Sequence, residues 1–103
     1  MLIRVTEPGR AAFQLRKGEA GISVFDSEAV QPPLTEGEVL NAFRPGSRAV
    51  NRSLEELTSK GLRVAPMIGA ESLPRRLREA HAEIRPGPNM ARAQFKRTLQ
   101  ELE

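Results

Sequence analysis

A chain of 103 residues is long enough for one domain with one modest core, and residues 1–103 are read as a single unit. With 39% hydrophobic and 28% charged residues it is too apolar for a disordered chain, and without cysteine it can form no disulfide, thiolate metal site or cysteine nucleophile, which favours a reducing, cytoplasmic setting. The net charge is +3 and thirteen of the sixteen basic residues are arginine, whose planar fork suits phosphate and carboxylate groups and equally suits solvated helix faces beside glutamates.

Met1 to Thr6 reads as a strand closed by the turn Glu7-Pro8-Gly9, and Ala11 to Leu15 as a short partner strand. After the break at Gly18 to Gly21, Ile22-Ser23-Val24-Phe25 is a β-branched and aromatic strand ending at Asp26. Pro32-Pro33 implies an extended connection. Thr35 and Glu38 have the spacing of a capping box, which opens a short helix to about Phe43, and Pro45-Gly46 stops it. Ser47 is placed to cap a second helix carrying Val50, Leu54 and Leu57 at i, i+4, i+7, with Gly61 as its terminator.

Leu62 to Ile68 follows as a strand that Pro66 confines to an edge or an irregular end. Ser72 is the expected cap of a short helix running through Glu79, with Leu73 and Leu77 facing inward. Ala80 to Arg85 then alternates, setting Ala82 and Ile84 on one face and His81, Glu83 and Arg85 on the other. Pro86-Gly87-Pro88 is a rigid stop. From about Asn89 an amphipathic C-terminal helix presents Ala91, Phe95, Leu99 and Leu102. Strands scattered among short helices define an α+β class with a small mixed or antiparallel sheet.

The chemical inventory is short. One histidine (His81) and one aspartate (Asp26) make a hydrolytic triad remote, and there is no G-x-S-x-G elbow. A metal site of two or three histidines is impossible, so no metal is expected. Neither a P-loop nor a G-x-G-x-x-G fingerprint occurs, and no stretch approaches the ~20 apolar residues of a membrane-spanning helix. Arg4, Glu7 and Arg10 interrupt any secretory pattern at the N-terminus. Without Tyr or Trp, a stacking platform for nucleic acid is poorly supplied, although the Arg75-Arg76-x-Arg78 cluster could meet phosphates.

Two segments remain as candidate sites. Gly21 to Asp26 places one polar serine, Ser23, among apolar neighbours, and His81 to Pro86 gathers three ionisable side chains on one strand face. Ser23 either serves a site or hydrogen-bonds within a sheet. His81, Glu83 and Arg85 either hold a fixed charged geometry in a cleft or form the wet side of an antiparallel strand.

In order and spacing these segments resemble the type VI secretion effector toxins with an ADP-ribosyltransferase-like fold. The family's Gly-x-Ser-Val-Phe-Asp strand is matched by Gly21 to Asp26, with Ile22 where the family carries a hydroxyl residue. Its Arg/Leu-containing stretch leading into a His-x-x-Ile-x-Pro strand is matched by Leu73 to Arg78 and then His81 to Pro86. Its Leu-x-Arg opening is matched by Leu2-Ile3-Arg4, and its Pro-x-Met step by Pro88-Asn89-Met90.

The resemblance implies NAD as cofactor, held by Arg4 at a phosphate or ribose with Ser23 in support and Arg85 beside them. His81 matches the family's late-strand histidine, and Glu83 resembles the glutamate of the Arg-Ser-Glu transferases. That makes Ser23, His81 and Glu83 the expected catalytic set of a mono-ADP-ribosyltransferase. The absence of tyrosine excludes the His-Tyr-Glu class. A toxin of this kind implies an antitoxin or immunity protein as partner. The alternatives are a non-catalytic interaction domain of the same fold, meeting a partner such as an acidic antitoxin, and a basic nucleic-acid-binding module.

Overall fold

Five β-strands and four short helices follow one another in the computed structural model, which describes residues 1–103. They are β1 (Leu2–Thr6), β2 (Ile22–Asp26), α1 (Glu36–Leu40), β3 (Arg48–Arg52), α2 (Leu54–Ser59), β4 (Arg63–Pro66), α3 (Arg75–Ala80), β5 (His81–Arg85) and α4 (Arg92–Gln100). The strands form one sheet in the order β3-β1-β2-β5-β4, and every neighbouring pair is antiparallel. The α+β class stands, with an antiparallel sheet in place of the mixed alternative.

Strand alternation sends side chains to two cores. Leu2, Ile22, Val24, Ala82 and Ile84 face Leu57 of α2 and Phe95 and Leu99 of α4, with Leu102 and the loop residues Ala12, Phe13 and Leu15 completing that cluster. Ile3 and Phe25 face the other way, toward Val39 of α1 and Leu77 and Ala80 of α3. Each fully buried Leu, Ile or Phe contributes about 1.5–3 kcal/mol relative to exposure. Two layers of short helices therefore hold a central sheet.

Local signals explain most boundaries. Thr35 Oγ1 accepts from the Glu38 N–H at 3.1 Å, the expected N-cap of α1. Gly61, at φ +81°, ends α2: its N–H donates to Thr58 O and the Leu62 N–H to Leu57 O, the paired bonds of a Schellman motif. Pro66 lies on the edge strand β4, as its missing donor requires.

Other expectations are corrected. Residues 48–52 are a strand, and Ser53, not Ser47, caps α2 by accepting from the Glu56 N–H at 3.1 Å. Val50 packs on the same core as Leu57 from that strand, so the i, i+4, i+7 spacing ran across a strand–helix junction. Ala11 to Leu15 forms no strand; its buried Ala12, Phe13 and Leu15 plug the core from a loop. The connection through Pro32-Pro33 folds back, with the Leu34 N–H on Ser27 O at 2.9 Å. Helix α3 starts after Pro74 without a serine cap, and α4 starts after an exposed Ala91, because Asn89 at φ +62° still belongs to a turn.

Candidate functional site: a cleft where β1 and β2 part

The β1–β2 ladder stops at Ile3↔Phe25, whereas β1 continues to pair with β3 as far as Thr6↔Arg48. Beyond Ile3 the two central strands separate. Arg4 bridges the split: its Nε donates to Ala12 O at 2.7 Å and its Nη1 to Ser23 O at 3.1 Å. The guanidinium replaces missing ladder bonds and ties loop 7–21 to both strands. Burial lowers the Arg4 pKa from its ordinary value, with Glu19 and Glu103 opposing that effect and Arg16 adding to it.

A concavity of about 280 Å³ opens at this split, lined by Arg4, Val5, Ser23, Phe25, Phe43 and His81 together with Ala70, Ser72 and Leu73 of the β4–α3 connection. Arg4, Ser23 and His81, from three strands, thus line one concavity. His81 is fixed by Nδ1 against Met67 O at 3.1 Å and by an edge-to-face contact with Phe25 at 5.6 Å. Gly69 lets the covering loop lie close: a Cβ there would stand 3.1 Å from His81 Cβ.

Glu83 and Arg85 lie outside this concavity. Arg85 donates from Nε and Nη2 to Glu83 Oε1 at 3.1 and 2.9 Å and from Nη2 to Met67 Sδ at 3.2 Å. Glu83 is nevertheless the cross-strand partner of Ser23, so its backbone stands beside the cleft while its carboxylate is turned to Arg85.

Spacing gave no hint of a second concavity of about 470 Å³, which shares Arg4, Val5 and Phe43 with the first. It is lined by four arginines (Arg4, Arg10, Arg16 and Arg44) and only two glutamates, Glu7 and Glu19. Arg10 lies 3.7 Å from Glu7, whereas the guanidinium groups of Arg16 and Arg44 bond to nothing in the chain. Apart from Arg4, the only advance sign was the arginine-rich composition, because Arg10 and Arg16 come from the β1–β2 loop and Arg44 from the α1–β3 loop. Together the two parts form a bipartite cleft, aromatic and weakly polar at one end and cationic at the other. Such a surface can hold a ring at one end and anionic oxygens at the other.

No group of three or more His, Asp or Glu side chains is placed to hold a metal ion. No helix is long and apolar enough to cross a membrane. Comparisons with protein-family models, with curated proteins and with solved structures give no match to the chain.

Proposed function

We propose that the chain is an ADP-ribosyltransferase-like domain that binds NAD in the cleft between β1 and β2, and that it acts in the cytoplasm as the toxin of a toxin–antitoxin or effector–immunity pair. The observation that carries the reading is that Arg4, Ser23 and His81 line one concavity which continues into a cluster of arginines, where Arg16 and Arg44 have no side-chain partner. The donor set fits a dinucleotide. Arg10, Arg16 and Arg44 are suited to its phosphates, and the half-buried Phe43 and Leu73 offer an apolar wall to a ring. Ser23 and His81 add the polar contacts that orient it. NAD would supply an activated glycosidic bond; the chain would bind it, position it and shield it behind the β4–α3 connection.

The Glu83–Arg85 pair favours a second reading, a domain that binds the nucleotide without turning it over. The glutamate of the expected catalytic set is engaged with Arg85 at 2.9 Å. Nucleic acid is the weaker fit: Phe13, Phe25 and Phe95 are buried and Phe43 half-buried, so no aromatic platform faces solvent.

Titration with NAD, followed by backbone amide shifts, tests the site. Shifts are expected in Arg4, Ser23, Phe43, Arg44 and His81, and paired Arg16→Ala and Arg44→Ala substitutions should weaken them without changing the melting temperature. No shift at millimolar NAD sinks the reading. Transfer of labelled ADP-ribose separates the catalytic version from the binding one. Equal growth of cells expressing wild type and the His81→Ala variant would remove the toxin role.

A further inference from the structure

A third concavity, of about 490 Å³, lies at the end of the sheet where β1 begins, on the face that carries α2. Leu2, Val64 and Ala82 form its floor, and Leu54 and Pro66 line it beside them. Apart from His81, its only ionisable side chains are Asp26, Glu28 and Glu79. In a chain of net charge +3 with thirteen arginines, an apolar groove with three acids and no lysine or arginine in its lining is a local reversal of sign. Leu54 is 54% exposed, although Leu57 alone supplies the buried contact of α2. The fold does not need a leucine there; an occupant of the groove would.

We propose that this groove docks a segment of a partner protein that presents apolar side chains flanked by lysine or arginine. Burial against Leu2, Leu54 and Val64 would supply the affinity, and the acids would fix the register. The acids come from two places, Asp26 and Glu28 around the end of β2 and Glu79 on α3. A chain bearing several basic side chains matches that distribution better than a lone ammonium does.

Their present partners are replaceable. Glu79 pairs with Arg75 at 2.9 Å, Glu28 lies 3.8 Å from the Met1 ammonium, the one cation in the groove lining, and Asp26 Oδ1 accepts from the Glu28 N–H at 3.0 Å. Exposed pairs of this kind contribute little to stability. The groove shares only His81 with the nucleotide cleft, so the inference does not rest on the NAD reading.

The test uses two labelled synthetic amphipathic peptides, one of leucine and lysine and one with glutamate in place of lysine, read by fluorescence anisotropy against the full chain. The basic peptide should bind and the acidic one should not. Leu54→Glu, and separately the pair Glu28→Lys with Glu79→Lys, should each weaken binding about tenfold or more, equivalent to about 1.4 kcal/mol. Leu54→Glu is safe for folding, since it adds an acid to the exposed first turn of a helix. Arg44→Ala, in the other cleft, should leave peptide binding unchanged. Equal binding of both peptides, or full binding to Leu54→Glu with an unchanged melting temperature, overturns the proposal. So does sedimentation showing that the chain self-associates and that Leu54→Glu abolishes the association.

Discussion

Replacing Arg4 by methionine keeps the aliphatic stem and removes every donor. The structure gives the cost. Two hydrogen bonds from a charged group are lost, to Ala12 O at 2.7 Å and Ser23 O at 3.1 Å. Ser23 is exposed, so its carbonyl can turn to water, whereas Ala12 is buried and its carbonyl is left without a partner. Stranding a buried acceptor costs about 1–3 kcal/mol, and a hydrogen bond to a charged group is worth about 1.5–3 kcal/mol. Against this stands relief from burying the guanidinium, the cause that lowers its pKa. The net expectation is a loss of about 1–3 kcal/mol, a fall in melting temperature of about 4–8 °C per kcal/mol for a domain of this size. Arg4→Lys, with one compact donor group for two carbonyls, should fall between wild type and methionine. Thermal melts followed by far-ultraviolet circular dichroism measure both. A methionine variant melting within about 2 °C of wild type would refute the bridging role. The consequence for the NAD proposal is practical: weaker NAD binding by an Arg4 variant would mix two causes, whereas Arg16 and Arg44 test the cleft alone.

Gly87→Ala would bring a Cβ within 2.0 Å of Gly61 O, the residue that closes α2, and overpacking of this kind should cost about 1–3 kcal/mol. Gly61→Asn, by contrast, meets only Met90 Cε at 3.5 Å and keeps a residue type that tolerates φ +81°, so denaturant titration should find it much the milder of the two; a milder Gly87→Ala would reverse the argument. The pH dependence of stability should show Glu38, whose hydrogen bond from Arg76 at 2.7 Å holds its pKa below the ordinary 4.5. A depressed carboxyl stabilises the fold above its unfolded pKa, and that contribution disappears as pH falls through the folded value. Melting temperatures of Glu38→Gln and wild type should therefore converge below the ordinary glutamate range and separate above it, and parallel curves throughout would remove Glu38 from the acid sensitivity.

What the sequence made legible was local. The β5 alternation, the Thr35 cap, the Gly61 stop and the edge position of Pro66 each follow from one residue type meeting one backbone requirement. What stayed hidden depends on distant contacts. Val50, Leu54 and Leu57 carry helical spacing, yet tertiary pairing with β1 makes residues 48–52 a strand, since Arg48 to Arg52 register against all five residues of β1. The cationic half of the cleft joins Arg10 and Arg16 in one loop to Arg44 in another, and no spacing rule links them. Arg4 was legible as an arginine on the first strand, but its use as a bridge across parted strands was not. That role needs Ala12 and Ser23 to arrive from elsewhere.

Within the proposed function, Glu83 is the residue that separates the binding version from the catalytic one. Its main chain pairs with Ser23 across β2 and β5, so the strand already stands at the edge of the cleft. Its carboxylate is half-buried against Arg85, a partner two residues away on the same strand face. Alternation alone makes that pair, because residues i and i+2 always share a face and opposite charges there attract. A strand that presents His81, Glu83 and Arg85 together therefore positions an acid and restrains it with the same pattern. Arg85→Gln releases the acid and leaves both sheet ladders intact. If the cleft is catalytic, that substitution should raise or preserve transfer of ADP-ribose while Glu83→Gln abolishes it. If the cleft only binds, NAD affinity should be indifferent to both, and no transfer should appear in either variant.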